Sequence, residues 1–154
     1  MRHWLLKTEP ASFGIEDLER APKRTTSWDG VRNFQARNTI RDDMKRGDQA
    51  FLYHSSCAVP GIVGIVQITK EAYPDPTAFE RRHPHYDEDS DRAKPRWYMV
   101  DVRLKRKFKR VITLDELRAH AAKELQGMVL LRPGNRLSVT PVDASHWQFI
   151  CSLE

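Results

Sequence analysis

The stretch QAFLYHSSCAVPGIVGIVQIT, residues 49–69, decides how the rest of the chain can fold. Two mostly apolar runs, Gln49–His54 and Ile62–Thr69, flank a Pro60-Gly61 pair, which is typical of a turn. Each run has the length of a strand, and its continuous apolar character is typical of a strand in the middle of a sheet. We therefore predict two neighbouring central strands joined by this turn.

Before this stretch, the sequence predicts one strand and two helices. His3–Lys7 is the strand, and Ile15–Arg20 is a short helix that Pro22 ends. Asn33–Arg46 has the apolar spacing of a longer helix, and Gly47 is the expected stop.

After this stretch, four further elements are predicted. A long strand begins at Trp97, and Thr113-Leu-Asp-Glu116 is a capping box that opens a helix. A short strand at Arg136–Val139 and a helix after Asp143 complete the chain. Strands and helices are mixed without regular βαβ alternation, so we predict an α+β fold with a curved or closed, mostly antiparallel sheet and helices outside it. Residues 1–154 are expected to form a single domain.

Composition favours a soluble protein with a polyanionic partner. The chain has 40% hydrophobic and 31% charged residues, and no apolar run approaches the roughly 18 residues of a membrane span. The formal charge of +5 favours nucleic acid as the partner, although many basic domains are merely soluble. Two cysteines form no framework and no metal spacing, so we expect a reducing, cytoplasmic location.

Two groups of residues are candidates for a catalytic or a metal site. His54 and Cys57 are close in sequence and could form an activated thiol, but nothing nearby supplies an orienting partner. The segment RRHPHYDEDSD, residues 81–91, has metal-ligand types without a recognised metal spacing. It lies in a proline-rich segment, Tyr73–Pro95, that is expected to be a long surface loop. We predict no catalytic residue, no metal and no cofactor.

Basic residues alternate along the strand that begins at Trp97. An alternating set shares one face of a strand, and this set comprises Arg103, Lys105, Lys107 and Lys109. Pairing with phosphates would make binding sensitive to salt. A solvated outer face of the sheet is an equally good explanation of the pattern.

Tryptophans lie beside two predicted loops. Trp28, in SWDGVRNFQARN, precedes a helix, and Trp97 ends the long loop. An aromatic face can stack on a nucleobase, which typically contributes ~1–3 kcal/mol. The alternative, that both tryptophans anchor the core, stays open.

Several motifs in order resemble the EVE domain family over nearly the whole chain. They are HWLLKTEP, SWDGVRNFQARN, AFLYHSSCAVPGIVGIVQI, EAYPDPTAFE, PHYD, PRWYMVDV and RLSVTP. The resemblance implies a PUA-like fold, a small β-barrel flanked by helices. It also implies kinship with YTH domains, which hold a methylated adenine in an aromatic cage, and a role in reading modified bases of DNA or RNA without established catalysis.

The resemblance assigns site residues by position. Trp28 matches the cage tryptophan, Asn33 matches an asparagine further along the same element, and Asp29 would contact the base edge. The first strand would line the pocket with Lys7, Thr8 and Glu9. The pocket floor would be lined by Tyr53, His54, Ser55 and Ser56. The second cage wall would be Tyr86 or Trp97. Arg32 and Arg37 could contact phosphates or internal acids such as Asp42.

We therefore predict a monomeric, non-enzymatic binder of a modified base in DNA or RNA. One alternative is an enzyme acting on a nucleobase or small ligand through His54, Cys57 or Glu9. Another is a protein-interaction module that docks a partner through Tyr73–Pro95.

Overall fold

The computed structural model describes residues 1–154 and has a six-stranded sheet flanked by four helices. The strands are β1 (His3–Thr8), β2 (Thr25–Ser27), β3 (Gln49–His54), β4 (Gly61–Pro74), β5 (Tyr98–Thr113) and β6 (Val139–Val142). The helices are α1 (Ile15–Arg20), α2 (Phe34–Asn38), α3 (Leu114–Ala119) and α4 (Ala144–Leu153). The predicted α+β class is confirmed. None of the helices combines the length and hydrophobicity needed to cross a membrane.

The sheet is open, with strand order β2-β5-β4-β3-β1-β6. β1 and β3 run parallel, and every other neighbouring pair is antiparallel. The predicted closed barrel is wrong, because the two edge strands, β2 and β6, do not pair with each other. Both are short, and β6 contains Pro141, which has no backbone N–H to donate and is tolerated only at an edge.

Both faces of the sheet are covered, which explains the continuous apolar runs in β3 and β4. Leu52 belongs to a first hydrophobic cluster that includes Ile15 of α1 and Ala36 of α2. Its neighbour Phe51 points to the opposite face, into a second cluster that includes Trp147 of α4. The prediction that β3 and β4 are neighbouring central strands is confirmed.

A β-bulge interrupts β5 near its middle. Leu104 lies opposite Val66 and Arg106 opposite Ile65, so β5 has one extra residue, Lys105, at this point. Leu104 packs in the first cluster, whereas Phe108, an even number of residues further on, packs in the second. One extra residue exchanges the two faces of every following position.

The bulge divides the basic residues of β5 between the two faces. Arg103 and Lys105 lie on the side of the second cluster, and Lys107 and Lys109 lie on the side of α1. The Lys107 ammonium forms an ion pair with Glu19 of α1, with Nζ 3.1 Å from Oε1. The prediction that these four residues share one face is wrong, because it assumed an unbroken strand.

Three predicted boundaries also moved. The strand predicted at Arg136–Val139 is β6, which begins at Val139 and ends at Val142. The predicted helix Asn33–Arg46 is α2 followed by a π-helical turn, Thr39–Asp43, and the helical backbone ends there, before Gly47. β4 continues to Pro74, and a 3-10 turn, Pro76–Phe79, follows it. The first residues of the predicted loop Tyr73–Pro95 therefore belong to β4 and to this 3-10 turn.

Candidate functional site

A cleft opens where β1 and β2 end, and we call it the Trp28 cleft. It has a volume of about 400 Å³ and continues into a recess of about 200 Å³. The main volume lies within the roughly 300–1,000 Å³ typical of ligand sites. Both parts share Thr8, Phe13, Trp28 and Asp29, and the remaining lining residues are Lys7, Glu9, Ser12, Thr26, Ser27, Gly30, Val31, Arg32, His85 and Ser138.

Trp28 is a core residue and a cleft wall at the same time. It is 7% exposed and belongs to the first hydrophobic cluster, and its backbone N–H donates to the Val100 carbonyl at 2.7 Å. The Phe13 ring meets it edge-on, with ring centroids 6.4 Å apart. The two interpretations of Trp28 therefore do not exclude each other.

Phe13 is the second aromatic residue of the cleft, and it was not predicted. The Thr8 hydroxyl donates to its carbonyl at 2.6 Å, which fixes the turn after β1. Its sequence position, between a proline-containing turn and a short helix, gave no signal for this role.

Asp29 and His85 line the polar end of the cleft, and His83 lies beside them. Ligand atoms of Asp29, His83 and His85 lie within 4.8 Å of one another. Partial burial, and then the nearby Asp75 carboxylate, raise the pKa of Asp29 against the opposing effect of the histidines. Such a set could hold a zinc ion, but the Nδ1 atom of His83 already accepts the His85 backbone N–H at 3.0 Å.

His85 lies directly over Gly30. A Cβ atom at Gly30 would be 2.3 Å from His85 Cε1, so only glycine leaves room for the imidazole. The Nδ1 atom of His85 is buried and has no hydrogen-bond partner. An unpaired buried polar atom in a cleft wall is suited to a ligand that supplies the missing hydrogen bond.

The buried Asp75 carboxylate holds the loop that carries Asp29. It accepts hydrogen bonds from the Gly30 N–H, from Arg32 Nη1, and from the N–H and hydroxyl of Thr77. Burial alone would raise the pKa of Asp75, but the hydrogen bonds from Thr77, Gly30 and Arg32 hold it below its usual value. Asp75 is therefore a charged anchor between the two loops of the cleft.

Arg32 has no N–H group left for a phosphate. Its guanidinium donates five hydrogen bonds, to the carbonyls of Val31 and His85, the Asp75 carboxylate and the Thr77 hydroxyl. The predicted phosphate contact is therefore replaced by an internal role. The acid it pairs with is Asp75 and not Asp42.

Neither predicted candidate for the second cage wall lines the cleft. Trp97 is 5% exposed, donates from Nε1 to Asp87 at 2.5 Å, and stacks on Phe34 with centroids 4.9 Å apart. It anchors the loop to α2. Tyr86 is 38% exposed and lies outside the cleft, although its neighbour His85 is inside.

Asn33 and Arg37 lie outside the cleft lining as well. The Asn33 side-chain oxygen caps α2 by accepting the Ala36 N–H at 3.0 Å, which leaves only its amide N–H groups for a ligand. Arg37 donates to the Arg96 carbonyl at 2.6 Å and to Asn38 at 2.9 Å, and its Nη2 donates to no protein group.

The residues from 53 to 56 do not form the cleft floor. Tyr53 is 3% exposed in the second cluster, on the opposite face of the sheet. His54 Nε2 accepts the Ile15 N–H at 3.1 Å, and burial lowers the pKa of His54. Ser55 donates to the Thr8 carbonyl, and Ser56 is exposed with a φ of 53°. His54 is thus engaged with α1 and forms no hydrogen bond with Cys57.

Known proteins resemble this chain over its whole length. The EVE domain model matches residues 2–153. Thymocyte nuclear protein 1 of Homo sapiens is 50% identical over 167 aligned residues, which cover 99% of this chain and 73% of that protein. A protein of Pseudomonas syringae of known structure is 44% identical, with a TM-score of 0.92 and 98% of each chain covered.

One similar structure contains DNA. It is the crystal structure of human THYN1 protein in complex with DNA that contains 5-methylcytosine. It is 48% identical, with a TM-score of 0.94, and the match covers 99% of this chain and 97% of that chain.

The names of these relatives contradict the predicted cytoplasmic location. Thymocyte nuclear protein 1 of Homo sapiens, Gallus gallus and Rattus norvegicus is named as a nuclear protein. Cysteine content could not make this distinction, since the nucleus and the cytoplasm are both reducing.

Proposed function

The chain belongs to the EVE domain family, and from this premise we propose that it binds DNA and takes a modified cytosine into the Trp28 cleft without reacting with it. The observation that carries the proposal is the match to human THYN1 protein in complex with 5-methylcytosine-containing DNA, at a TM-score of 0.94. The aromatic and polar walls of the Trp28 cleft supply the chemistry that a base requires.

The aromatic walls suit the flat face of a base. Trp28 and Phe13 are nearly perpendicular, with an interplanar angle of 85°, so one ring can stack on a base while the other contacts its edge. Stacking of this kind contributes about 1–3 kcal/mol per base. A methyl group at C5 adds apolar surface that an aromatic wall can cover.

The polar end of the cleft suits the hydrogen-bonding edge of cytosine. The exocyclic amine of cytosine is a donor, and a carboxyl oxygen of Asp29 can accept. A neutral histidine can donate or accept at a given ring nitrogen, so the unpartnered Nδ1 of His85 can satisfy a further group on the same edge. We do not propose methyladenine, the ligand of YTH domains, as the ligand of this cleft. The second wall predicted from YTH domains, Tyr86 or Trp97, does not line it.

The remainder of the DNA would contact the basic surface. The formal charge of +5 favours a polyanion. Arg37, whose Nη2 is free, and Arg103 and Lys105, which form no ion pair with a carboxylate, are the proposed phosphate contacts. We propose that a monomer binds the DNA.

The test is a comparison of duplexes that differ at one base. Fluorescence anisotropy would measure binding to a labelled duplex with one 5-methylcytosine, to the same duplex with cytosine, and to the matching RNA, at equal salt. We expect the methylated DNA to bind several-fold more tightly. Nucleosides recovered after incubation should be unchanged. Equal affinity for all three, decreasing together as salt rises, would leave only the basic surface and contradict the proposal.

A further inference from the structure

Two large aromatic side chains of this protein are exposed, Phe34 and Tyr86, and each follows a residue of the Trp28 cleft closely in sequence. Four large hydrophobic side chains are exposed: Met1, Phe34, Val59 and Tyr86. Phe34 follows the cleft residue Arg32 by two positions, and Tyr86 follows the cleft residue His85 directly. Such placement concentrates apolar surface at one region next to the cleft.

Phe34 packs against the protein on one face even though it is 53% exposed. Its ring stacks on Trp97, with centroids 4.9 Å apart and an interplanar angle of 20°. Trp97 is itself fixed by the hydrogen bond from Nε1 to Asp87 and by the hydrogen bond from the Asp75 N–H to its carbonyl. An exposed ring with a fixed orientation loses little conformational entropy when it contacts a partner.

One arginine contacts the Phe34 ring, and two further arginines lie near that arginine. The guanidinium carbon of Arg37 lies 5.0 Å from the centroid of the ring. Arg41 and Arg96 are close enough to Arg37 for their charges to lower its pKa, after the larger effect of burial. An aromatic ring in contact with an arginine matches the base stack of a nucleic acid with its adjacent phosphates.

We propose that Phe34 is a wedge that enters the base stack of duplex DNA and occupies the place of the base that moves into the Trp28 cleft. The inference rests on the proposed function and adds that the target is paired DNA. Moving a base out of a duplex costs a few kcal/mol, and an inserted apolar side chain restores part of the lost stacking. Arg37 contacts the phosphate beside the wedge.

The experiment measures how the effect of Phe34→Ala depends on base pairing. Anisotropy would be recorded for 5-methylcytosine in a paired duplex, in the same duplex with a mismatched opposite base, and in a single strand. We expect Phe34→Ala to weaken binding about tenfold for the paired duplex, less for the mismatch, and little for the single strand. Phe34→Tyr should bind as the unmodified protein does. Val59→Ala, at an exposed position between β3 and β4, is the matched control and should leave all three affinities unchanged.

The outcomes separate this inference from the proposed function. If Phe34→Ala has no effect, or weakens single-strand and duplex binding equally, Phe34 is not a wedge. A folded Phe34→Tyr that binds as weakly as Phe34→Ala would also overturn the inference. If the unmodified protein shows no preference for 5-methylcytosine in any of the three substrates, the proposed function itself fails.

Discussion

Arg32 and Asp75 join the two loops that form the Trp28 cleft, with Nη1 of the arginine 3.0 Å from Oδ2 of the aspartate. The Asp75 side chain is fully buried, and the Arg32 side chain is 22% exposed. Burying a carboxylate is costly unless every lone pair finds a donor. Here Gly30 and Thr77 supply the remaining donors, so the pair fixes the backbone that follows Asp29.

Replacing Asp75 should therefore destabilise the protein strongly. Asp75→Asn keeps the shape but leaves the Arg32 charge without its partner, and breaking such a buried pair costs about 3–5 kcal/mol. Urea denaturation at pH 7 would measure the free energy of unfolding. Asp89→Asn, the same change at an exposed carboxylate of the same loop, should alter it by less than about 0.5 kcal/mol. Equal effects of the two changes would show that the Asp75 anchor does not stabilise the fold.

Asp29 should determine whether a 5-methylcytosine is distinguished from thymine. Both bases carry a methyl group at C5, but thymine has a carbonyl oxygen where cytosine has the amine that donates. Asp29→Asn should reduce the affinity ratio of 5-methylcytosine to thymine about tenfold, because a hydrogen bond to a charged group contributes about 1.5–3 kcal/mol. The measurement is the ratio of dissociation constants for duplexes that differ at this one base.

Glu9→Gln is the control for this change. It also removes one negative charge from the cleft lining, and it should raise the affinity for both duplexes slightly without changing their ratio. A similar loss of discrimination in both variants would mean that Asp29 acts through its charge alone and does not read the base edge.

Local patterns in the sequence were sufficient for several elements. α1 and β3 have the predicted bounds, Ile15–Arg20 and Gln49–His54, since proline, glycine and apolar runs define both. The three-residue strand β2 was missed, because Thr25–Ser27 is too short to show a period. It exists only through its pairing with β5.

Features that depend on distant parts of the chain could not be predicted. The bulge in β5 arises from its register with β4, which no single segment specifies. Trp97 is buried because Phe34 and Asp87 reach it from other parts of the fold. The sequence did identify Trp28, Asp29 and the end of β1 as cleft residues, through the family resemblance. Phe13 and His85 were found only in three dimensions.

The bulge in β5 predicts that the two pairs of basic residues contribute differently to DNA binding. The Arg103 backbone pairs with Thr25 of β2, and neither Arg103 nor Lys105 forms an ion pair with a carboxylate, so both charges remain free for phosphates. Arg103→Ala with Lys105→Ala should therefore reduce the slope of log affinity against log salt by about 2, since each phosphate contact contributes roughly 0.9.

The matched double variant on the other face is Lys107→Ala with Lys109→Ala. It removes the same formal charge, but Lys107 already pairs with Glu19, so the salt slope should hardly change. Binding isotherms from low to moderate salt would measure both slopes. An equal decrease for the two pairs would mean that the faces are not distinguished by DNA.

Gly30 should be required for binding beyond its effect on stability. Its φ is +79°, so Gly30→Ala strains the backbone by about 1–2 kcal/mol. The new Cβ would also lie 2.3 Å from His85 Cε1, so the imidazole must leave its position. Its Nδ1 could then no longer form a hydrogen bond with the base. We expect the affinity for 5-methylcytosine DNA to decrease roughly tenfold, the upper end for one hydrogen bond.

Gly127 provides the control that separates strain from displacement. Its φ is +82°, and a Cβ there would meet nothing within 4 Å. Gly127→Ala therefore carries the same backbone strain without moving a cleft residue. Both variants should lose stability in urea through backbone strain, while only Gly30→Ala loses affinity for the methylated duplex. If both variants bind DNA equally well, the position of His85 over Gly30 does not matter for recognition. Asp29 would then be the only residue at the polar end of the cleft that contacts the base.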